Sequence, residues 1–139
     1  MRTTSIRQKV VVPAEPMEVY EAYMDARRHE AFTGCPATST PRVGGRMTAW
    51  DGYITARNLE LEKGRRIVQE WSTTDWPDDC PPSRLEITLE ARKHGTEISL
   101  AHTGVPVEQA EDYAQGWHDF YWEPMRKYFK EGRKKRAGG

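Results

Sequence analysis

Polar and apolar residues alternate in short runs through the middle of the chain, which is the pattern of β-strands with one buried face. The clearest run covers residues 84–91, where the odd-numbered positions from Leu85 to Ala91 are apolar. Short turns separate the runs, so we expect neighbouring strands to be antiparallel. The same reasoning predicts further strands at residues 5–12, 46–50, 53–61, 65–74 and 96–103.

Two connections between these strands have distinctive sequences. Asp51-Gly52 predicts a tight two-residue hairpin, because a type I′ turn needs positive φ at both positions. Residues 75–82 contain three prolines and are predicted to form a loop. That loop also holds three acidic residues, which we interpret as solvated side chains rather than as a metal site.

Helical spacing of apolar residues appears at both ends of the chain. Pro16 suits the first turn of a helix that ends at Met24. Asp25 is placed to cap a second short helix over residues 26–32, which Gly34 is expected to close. Near the C-terminus, a long helix is predicted over residues 108–129. Its apolar stripe, at spacings of three and four, consists of Ala110, Tyr113, Ala114, Trp117, Tyr121, Pro124 and Tyr128.

The long helix carries two helix-breaking residues. Pro124 removes one backbone hydrogen bond and is expected to kink the helix, and Gly132 is expected to end it. The order of elements predicts an α+β fold, with a curved antiparallel sheet of about six to seven strands around the long C-terminal helix. Two short helices follow the first strand. A sheet that grips a helix in this way often leaves a cavity between them.

Length and charge limit the function classes. The chain of 139 residues fits a single domain over residues 1–130, with a basic, disordered tail over 131–139. Formal net charge is zero, which argues against nucleic-acid binding. An apolar run of membrane-spanning length and a signal peptide are both absent, so a cytoplasmic protein without a membrane span is expected. No cofactor or metal is predicted.

Several motifs, in order along residues 6–129, resemble a known family. They are Phe-Thr-Gly-Cys-Pro-Ala-Thr at 32–38, Val-Gly-Gly-Arg at 43–46, Asp-Gly-Tyr-Ile at 51–54, Ile-Val-Gln-Glu-Trp at 67–71, Thr-Asp-Trp-Pro at 74–77, Gly-Val-Pro at 104–106 and Gln-Gly-Trp-His-Asp-Phe-Tyr at 115–121. This set resembles the C-terminal domain of the activator of the ninety-kilodalton heat-shock chaperone ATPase, within the START-like (SRPBCC) superfamily. The resemblance implies a helix-grip (START-like, Bet v-like) fold and raises a heat-shock ATPase chaperone as a partner.

Aromatic residues supply most of the candidate site. We predict a ligand pocket under the long helix, formed by Trp50, Tyr53, Trp71, Trp76, Leu85, Ile87, Leu100, His102, Tyr113, Trp117 and Tyr121. The alternative is that these rings fill the core. Trp50 and Trp71 also fall on the outer sheet face if the register shifts by one residue. His102 is either a polar group of the pocket or a buried, hydrogen-bonded core residue, and His29 is expected to face solvent.

Three functions remain open from the sequence. The first is a non-enzymatic domain that binds a small apolar ligand of unknown identity. The second is a co-chaperone-like module that modulates a heat-shock ATPase chaperone. The third is a cavity enzyme of the cyclase or hydrolase kind, using His102 with Tyr121 or Tyr53. The sequence also leaves open whether the protein is a monomer or a dimer.

Overall fold

The structure is a computed structural model that describes the backbone of residues 2–138 and the side chains of residues 2–132. Seven strands precede a C-terminal helical segment, and two short helices follow the first strand. In chain order the elements are β1 Thr3–Val12, α1 Pro16–Met24, α2 Ala26–Thr33, β2 Thr38–Ser39, β3 Arg46–Ala49, β4 Ile54–Glu62, β5 Arg66–Thr73, β6 Ser83–Arg92, β7 Gly95–Pro106, α3 Ala110–Trp117, a π-helix His118–Trp122 and α4 Glu123–Gly138.

All strands belong to one antiparallel sheet in the order β1-β7-β6-β5-β4-β3-β2. Strands β2 to β7 form a meander. Strand β1 lies at the other edge of the sheet and pairs with β7, where Val10 is opposite Ile98. The register shifts once between β1 and β7, where the extra residue lies on β7, and once between β4 and β5, where it lies on β4. Extra residues of this kind bend a sheet. The curved sheet, the two short helices and the long C-terminal helix confirm the predicted fold class. The two-residue strand β2 was not predicted.

Capping residues set the ends of the short helices as expected. Pro16 is the first residue of α1. The carboxylate of Asp25 accepts a hydrogen bond from the backbone N–H of Arg28 at 3.0 Å, which satisfies one free donor at the start of α2. Gly34, with φ of 80°, ends α2 in the left-handed conformation.

The hairpin between β3 and β4 is longer than the two-residue turn predicted at Asp51-Gly52. Ala49 pairs with Ile54, and positive φ extends over Trp50 (53°), Asp51 (57°) and Gly52 (85°). A positive φ is rare for a tryptophan. The loop is held from outside, since the N–H of Asp51 donates to the carbonyl of Pro36 at 3.0 Å.

A π-helix interrupts the C-terminal helical segment just before Pro124, where we expected a kink. The N–H of Glu123 bonds to the carbonyl of His118, five residues back, so the turn is wider than in an α-helix. Such a turn leaves room for the proline ring, which clashes with the preceding turn of a regular α-helix. Gly132 does not end the helix, because the backbone stays helical to Gly138. The disordered tail was predicted over residues 131–139. The side chains of residues 133–139 lie outside the described part of the chain.

The inner face of the sheet packs against the helices to form one core. Leu85, Ile87 and Leu89 are buried, as their alternation predicted, whereas Ala91 is exposed because it lies at the end of β6 beside the turn to β7. His29 was expected to face solvent and is fully buried. Its ring is covered by Tyr23 of α1 and by Tyr121 of the π-helix, with ring centroids 5.4 and 5.3 Å away.

Candidate functional site

A cavity of about 480 Å³ lies between the sheet and the C-terminal helical segment. Its walls come from the β3–β4 loop, the start of β4, β5, α3 and the π-helix, and aromatic rings dominate them. The lining residues are Trp50, Tyr53, Ile54, Trp71, Asp112, Tyr113, Gly116, Trp117, Phe120 and Tyr121. The volume is in the range typical of small-molecule sites.

Helical periodicity brings one side of the wall together. Tyr113, Gly116 and Phe120 follow each other at spacings of three and four, so they share a face of the helical segment. Gly116 has no side chain, and a Cβ there would meet the ring of Phe120 at 3.6 Å. The glycine therefore leaves open the space beside this ring.

Trp71 on β5 is the centre of the aromatic cluster. Its ring centroid lies 4.7 Å from His102, 5.3 Å from Tyr113 and 5.9 Å from Trp117. Across the cavity, the rings of Trp50 and Phe120 meet edge to face at 5.2 Å. Both Trp50 and Trp71 thus face the inside of the fold, which removes the outer-face alternative.

Two of the five indole N–H groups have no hydrogen-bond partner among the described residues. The N–H of Trp76 donates to Pro81, that of Trp117 to His102, and that of Trp122 to Gln8, at 3.0, 3.2 and 2.8 Å. The buried N–H groups of Trp50 and Trp71 find no acceptor. Both of these tryptophans line the cavity.

His102 is a core residue with both ring nitrogens occupied. The hydroxyl of Ser83 donates to the carbonyl of Trp71 at 2.7 Å and therefore accepts from Nε2–H of His102, also at 2.7 Å. Nδ1 of His102 accepts from the indole of Trp117. This pattern assigns the neutral Nε2–H tautomer. Burial lowers the pKa of His102 to about 3.

Tyr121 connects the cavity wall to a second buried histidine. Nδ1–H of His29 donates to the carbonyl of Tyr23 at 2.9 Å, so Nε2 accepts from the hydroxyl of Tyr121 at 3.1 Å. Burial lowers the pKa of His29 and raises that of Tyr121. The nearby indole N–H of Trp50 acts in the opposite direction and lowers the pKa of Tyr121, but burial outweighs it. The Trp50 N–H does not meet the geometric criteria for a hydrogen bond to this hydroxyl.

A polar network fixes the two outer tyrosines of the cavity. The hydroxyl of Tyr53 donates to the carboxylate of Asp75 at 2.9 Å, and that of Tyr113 donates to Oε1 of Gln109 at 2.5 Å. The amide of Gln109 in turn donates to the backbone of Asp75 at 3.0 Å, and Thr73 bonds to Tyr113 at 2.7 Å. Burial raises the pKa of Tyr113 to about 12, so its hydroxyl stays protonated near neutral pH.

The predicted pocket and the observed cavity overlap in part. The predicted residues that line the cavity are Trp50, Tyr53, Trp71, Tyr113, Trp117 and Tyr121. Leu85, Ile87, Leu100 and His102 instead pack in the core outside the lining, and Trp76 stacks on Tyr113 from outside, with centroids 5.9 Å apart.

Four lining residues were absent from the prediction, namely Ile54, Asp112, Gly116 and Phe120. Gly116 and Phe120 had a signal, because they follow Tyr113 at helical spacing. Asp112 had none, since acidic residues are usually solvated on a helix surface. Within the described part of the chain, no three His, Cys, Asp or Glu side chains come together as a metal site.

A curved antiparallel sheet that grips a C-terminal helix, with an aromatic cavity between them, defines a helix-grip protein. The sequence matches the family described as "Activator of Hsp90 ATPase homolog 1-like protein" over residues 13–130. The chain belongs to this family.

Relatives and solved structures are consistent with this assignment. The chain is 27% identical over 130 residues to the human "Activator of 90 kDa heat shock protein ATPase homolog 1", and the match covers 94% of this chain and 38% of the relative. The chain thus spans less than half the length of that protein. A crystal structure of an HSP90 activator from Plasmodium falciparum superposes with a TM-score of 0.80 at 20% identity, covering 92% of this chain and 96% of the other.

A second solved structure is a dimer. It is the solution structure of the Aha1 dimer from Colwellia psychrerythraea, with a TM-score of 0.75 at 13% identity, covering 88% of this chain and 93% of the other. At this identity, the likeness shows the fold alone. No helix among the described residues is long and apolar enough to cross a membrane.

Proposed function

We propose that this domain binds a small apolar molecule in the cavity between the sheet and the C-terminal helical segment. The observation that carries the proposal is a space of about 480 Å³ inside a wall of aromatic rings. The space opens to solvent, since Asp112 and Phe120 of its lining are exposed. Its volume is in the range of sites that hold small molecules.

The wall favours an uncharged occupant. Its apolar surface comes from Trp50, Trp71, Trp117 and Phe120, which supply large faces for packing. Among the residues whose side chains the structure describes, no lysine, arginine or histidine lines the cavity. Binding is thus expected to draw on burial of apolar surface, which stabilises a complex by about 25 cal/mol per Å².

Native mass spectrometry of the protein purified from its own host, followed by organic extraction, tests this proposal. A co-purifying apolar molecule is the expected result. A spectrum at the apoprotein mass, together with no binding of added apolar compounds, contradicts the proposal. The same spectrum distinguishes a monomer from a dimer, which the sequence leaves open.

A second function rests on the family. The human relative that matches 94% of this chain is named an activator of the 90 kDa heat shock protein ATPase, which supports a chaperone partner here. The match covers only 38% of that relative, so we propose the contact rather than the whole activity. Both proposals assume a cytoplasmic protein. The test is binding of the purified protein to the chaperone from the same organism, measured by calorimetry, and the absence of binding would contradict this second proposal.

A further inference from the structure

We infer that the molecule held in the cavity is an apolar organic amine, whose ammonium group lies at the mouth beside Asp112 while its apolar body fills the aromatic wall. This inference rests on the proposed function and names the ligand class for the same site. The buried part of such a ligand is the uncharged surface that the wall favours, because a charge at the mouth keeps most of its hydration.

The first step concerns the distribution of charge along the chain. Three segments supply every lining residue of the cavity, namely residues 50–54, 71–83 and 107–122. They contain one, three and four acidic residues, respectively, and no lysine or arginine. All 21 lysine and arginine residues lie elsewhere, although the chain as a whole has no net charge. The segments that build the cavity are therefore negatively charged within a neutral chain.

The second step concerns the partners of these acidic side chains. All of them are exposed, and none takes part in the ion pairs found among the described residues. Carboxylates elsewhere on the surface are paired, as Glu86 is with Arg66 at 2.6 Å. Negative charge that no neighbouring cation offsets attracts cationic ligands to a cleft and repels anionic ones.

The third step places one carboxylate at the opening. Asp112, Gly116 and Phe120 follow each other at spacings of four, so they share a face of the helical segment, and all three line the cavity. Asp112 and Phe120 are exposed, so this face borders the mouth. Within the described part of the chain, the Asp112 side chain has no hydrogen-bond or ion-pair partner. Its carboxylate is thus available to a cation that enters the cavity.

The fourth step concerns the aromatic rings at the mouth. Phe120 is 52% exposed and Tyr53 is 36% exposed, and Trp50 meets Phe120 edge to face with ring centroids 5.2 Å apart. The face of an aromatic ring attracts an ammonium group, most strongly when the ring is a tryptophan. A neutral alcohol gains neither this attraction nor that of Asp112, and an anion meets charge of its own sign. An amine is therefore the polar group that fits this mouth.

The test compares four naphthalene probes substituted at the same ring position: naphthylmethylamine, naphthylmethanol, naphthoate and ethylnaphthalene. Near neutral pH the first is a cation, the second is neutral and the third is an anion, and ethylnaphthalene measures apolar binding alone. Dissociation constants are determined by calorimetry at about 0.1 M salt, where charges more than roughly 10 Å apart are screened. The wild-type protein is expected to bind the amine at least about fivefold more tightly than the alcohol, and naphthoate more weakly than the alcohol.

Asp112→Asn removes the carboxylate and keeps the size of the side chain. It is expected to weaken the amine about fivefold and to change the affinity for the alcohol by less than about twofold. Asp119→Asn is the matched control, because it removes the same charge from the same helical segment outside the lining, where the carboxylate accepts from Gln115. It is expected to change the affinity for the amine by less than about twofold.

Salt gives a second measurement that needs no substitution. Raising the salt concentration to about 1 M is expected to weaken binding of the amine to the wild-type protein and to leave binding of the alcohol unweakened, because salt screens only the charged ligand.

Each outcome decides between the two proposals. Equal affinity for amine and alcohol, an amine affinity that salt leaves unchanged, or tighter binding of naphthoate than of the amine overturns the ammonium assignment and leaves apolar binding standing. Equal losses of amine affinity in Asp112→Asn and Asp119→Asn overturn the position of the ammonium group beside Asp112. Failure of all four probes to bind the wild-type protein overturns the proposed ligand-binding function itself.

Discussion

The indole N–H of Trp117 donates a hydrogen bond to Nδ1 of His102 at 3.2 Å, inside the protein core. This bond joins the C-terminal helical segment to β7. His102 continues the connection to Ser83 on β6, so one neutral imidazole links a helix with two strands. Both ring nitrogens of His102 are used, and the residue lies outside the cavity lining. We therefore assign it a structural role.

Replacing His102 with leucine is expected to destabilise the fold by about 2 kcal/mol, because it leaves the buried indole N–H of Trp117 without an acceptor. Urea unfolding followed by fluorescence measures the free energy of unfolding. His94→Leu is the control, since His94 is exposed, and it is expected to change stability by less than about 0.5 kcal/mol. Equal effects of the two substitutions would contradict the assigned role.

Stability is expected to fall as the pH drops below about 6.5. Burial lowers the pKa of His102 to about 3, whereas an unfolded histidine titrates near 6.5. Between these values the unfolded chain binds a proton that the folded chain does not. For each unit by which the pH falls in this range, His102 therefore lowers the free energy of unfolding by up to about 1.4 kcal/mol. The lowered pKa of His29 acts in the same direction.

Urea unfolding between about pH 7 and pH 5 checks this dependence. The slope against pH is expected to decrease in His102→Leu and to stay unchanged in His94→Leu. An unchanged slope in His102→Leu would show that His102 takes up its proton in the folded protein.

Gly116→Leu is expected to weaken binding of ethylnaphthalene at least about tenfold, because the new side chain occupies the space beside Phe120. Gly132→Leu is the matched control. It lies in the same helical segment, and no described residue comes within 4 Å of a Cβ added there. Because both substitutions raise helix propensity similarly, a larger loss of affinity in Gly116→Leu than in Gly132→Leu measures the effect of filling the cavity. Unchanged affinity in Gly116→Leu would place the bound molecule elsewhere.

Gly52→Ala is expected to destabilise the protein by about 1 kcal/mol, although an added Cβ meets nothing within 4 Å. The cost comes from the backbone, because φ at Gly52 is 85° and L-residues avoid this region. Gly132→Ala provides a contrast of opposite sign, since alanine stabilises a helix interior by up to about 1 kcal/mol. Thermal unfolding of the two variants measures both effects, and a neutral Gly52→Ala would contradict the expected cost.

The features that were predictable from sequence are local ones. Alternation identified the buried face of β6, and the capping residues Asp25 and Gly34 marked both ends of α2, because these signals depend on nearest neighbours. The inward position of Tyr113, Trp117 and Tyr121 followed from helical spacing in the same way. These local rules were enough to indicate the sheet, the helices and one wall of the cavity.

The features that were missed depend on distant contacts. His29 lies in a polar helix and is buried because Tyr121, 92 residues further along the chain, donates to it. The long β3–β4 hairpin depends on the carbonyl of Pro36. Which of the inner-face residues border the cavity depends on how closely the helical segment approaches the sheet. Spacing along one strand does not contain that distance, so the sequence could not show that Leu85, Ile87 and Leu100 lie outside the lining of this cavity.

The pairing of β1 with β7 has a consequence for biosynthesis. Val10 and its partner Ile98 are separated by nearly 90 residues, so β1 leaves the ribosome long before its hydrogen-bonding partner exists. At about 5–20 residues per second, the wait lasts roughly 5–20 s. During this time the apolar side chains of β1 have no sheet to cover them. Final closure of the domain is therefore a late event in translation, and β1 remains an unpaired strand until β7 has been synthesised.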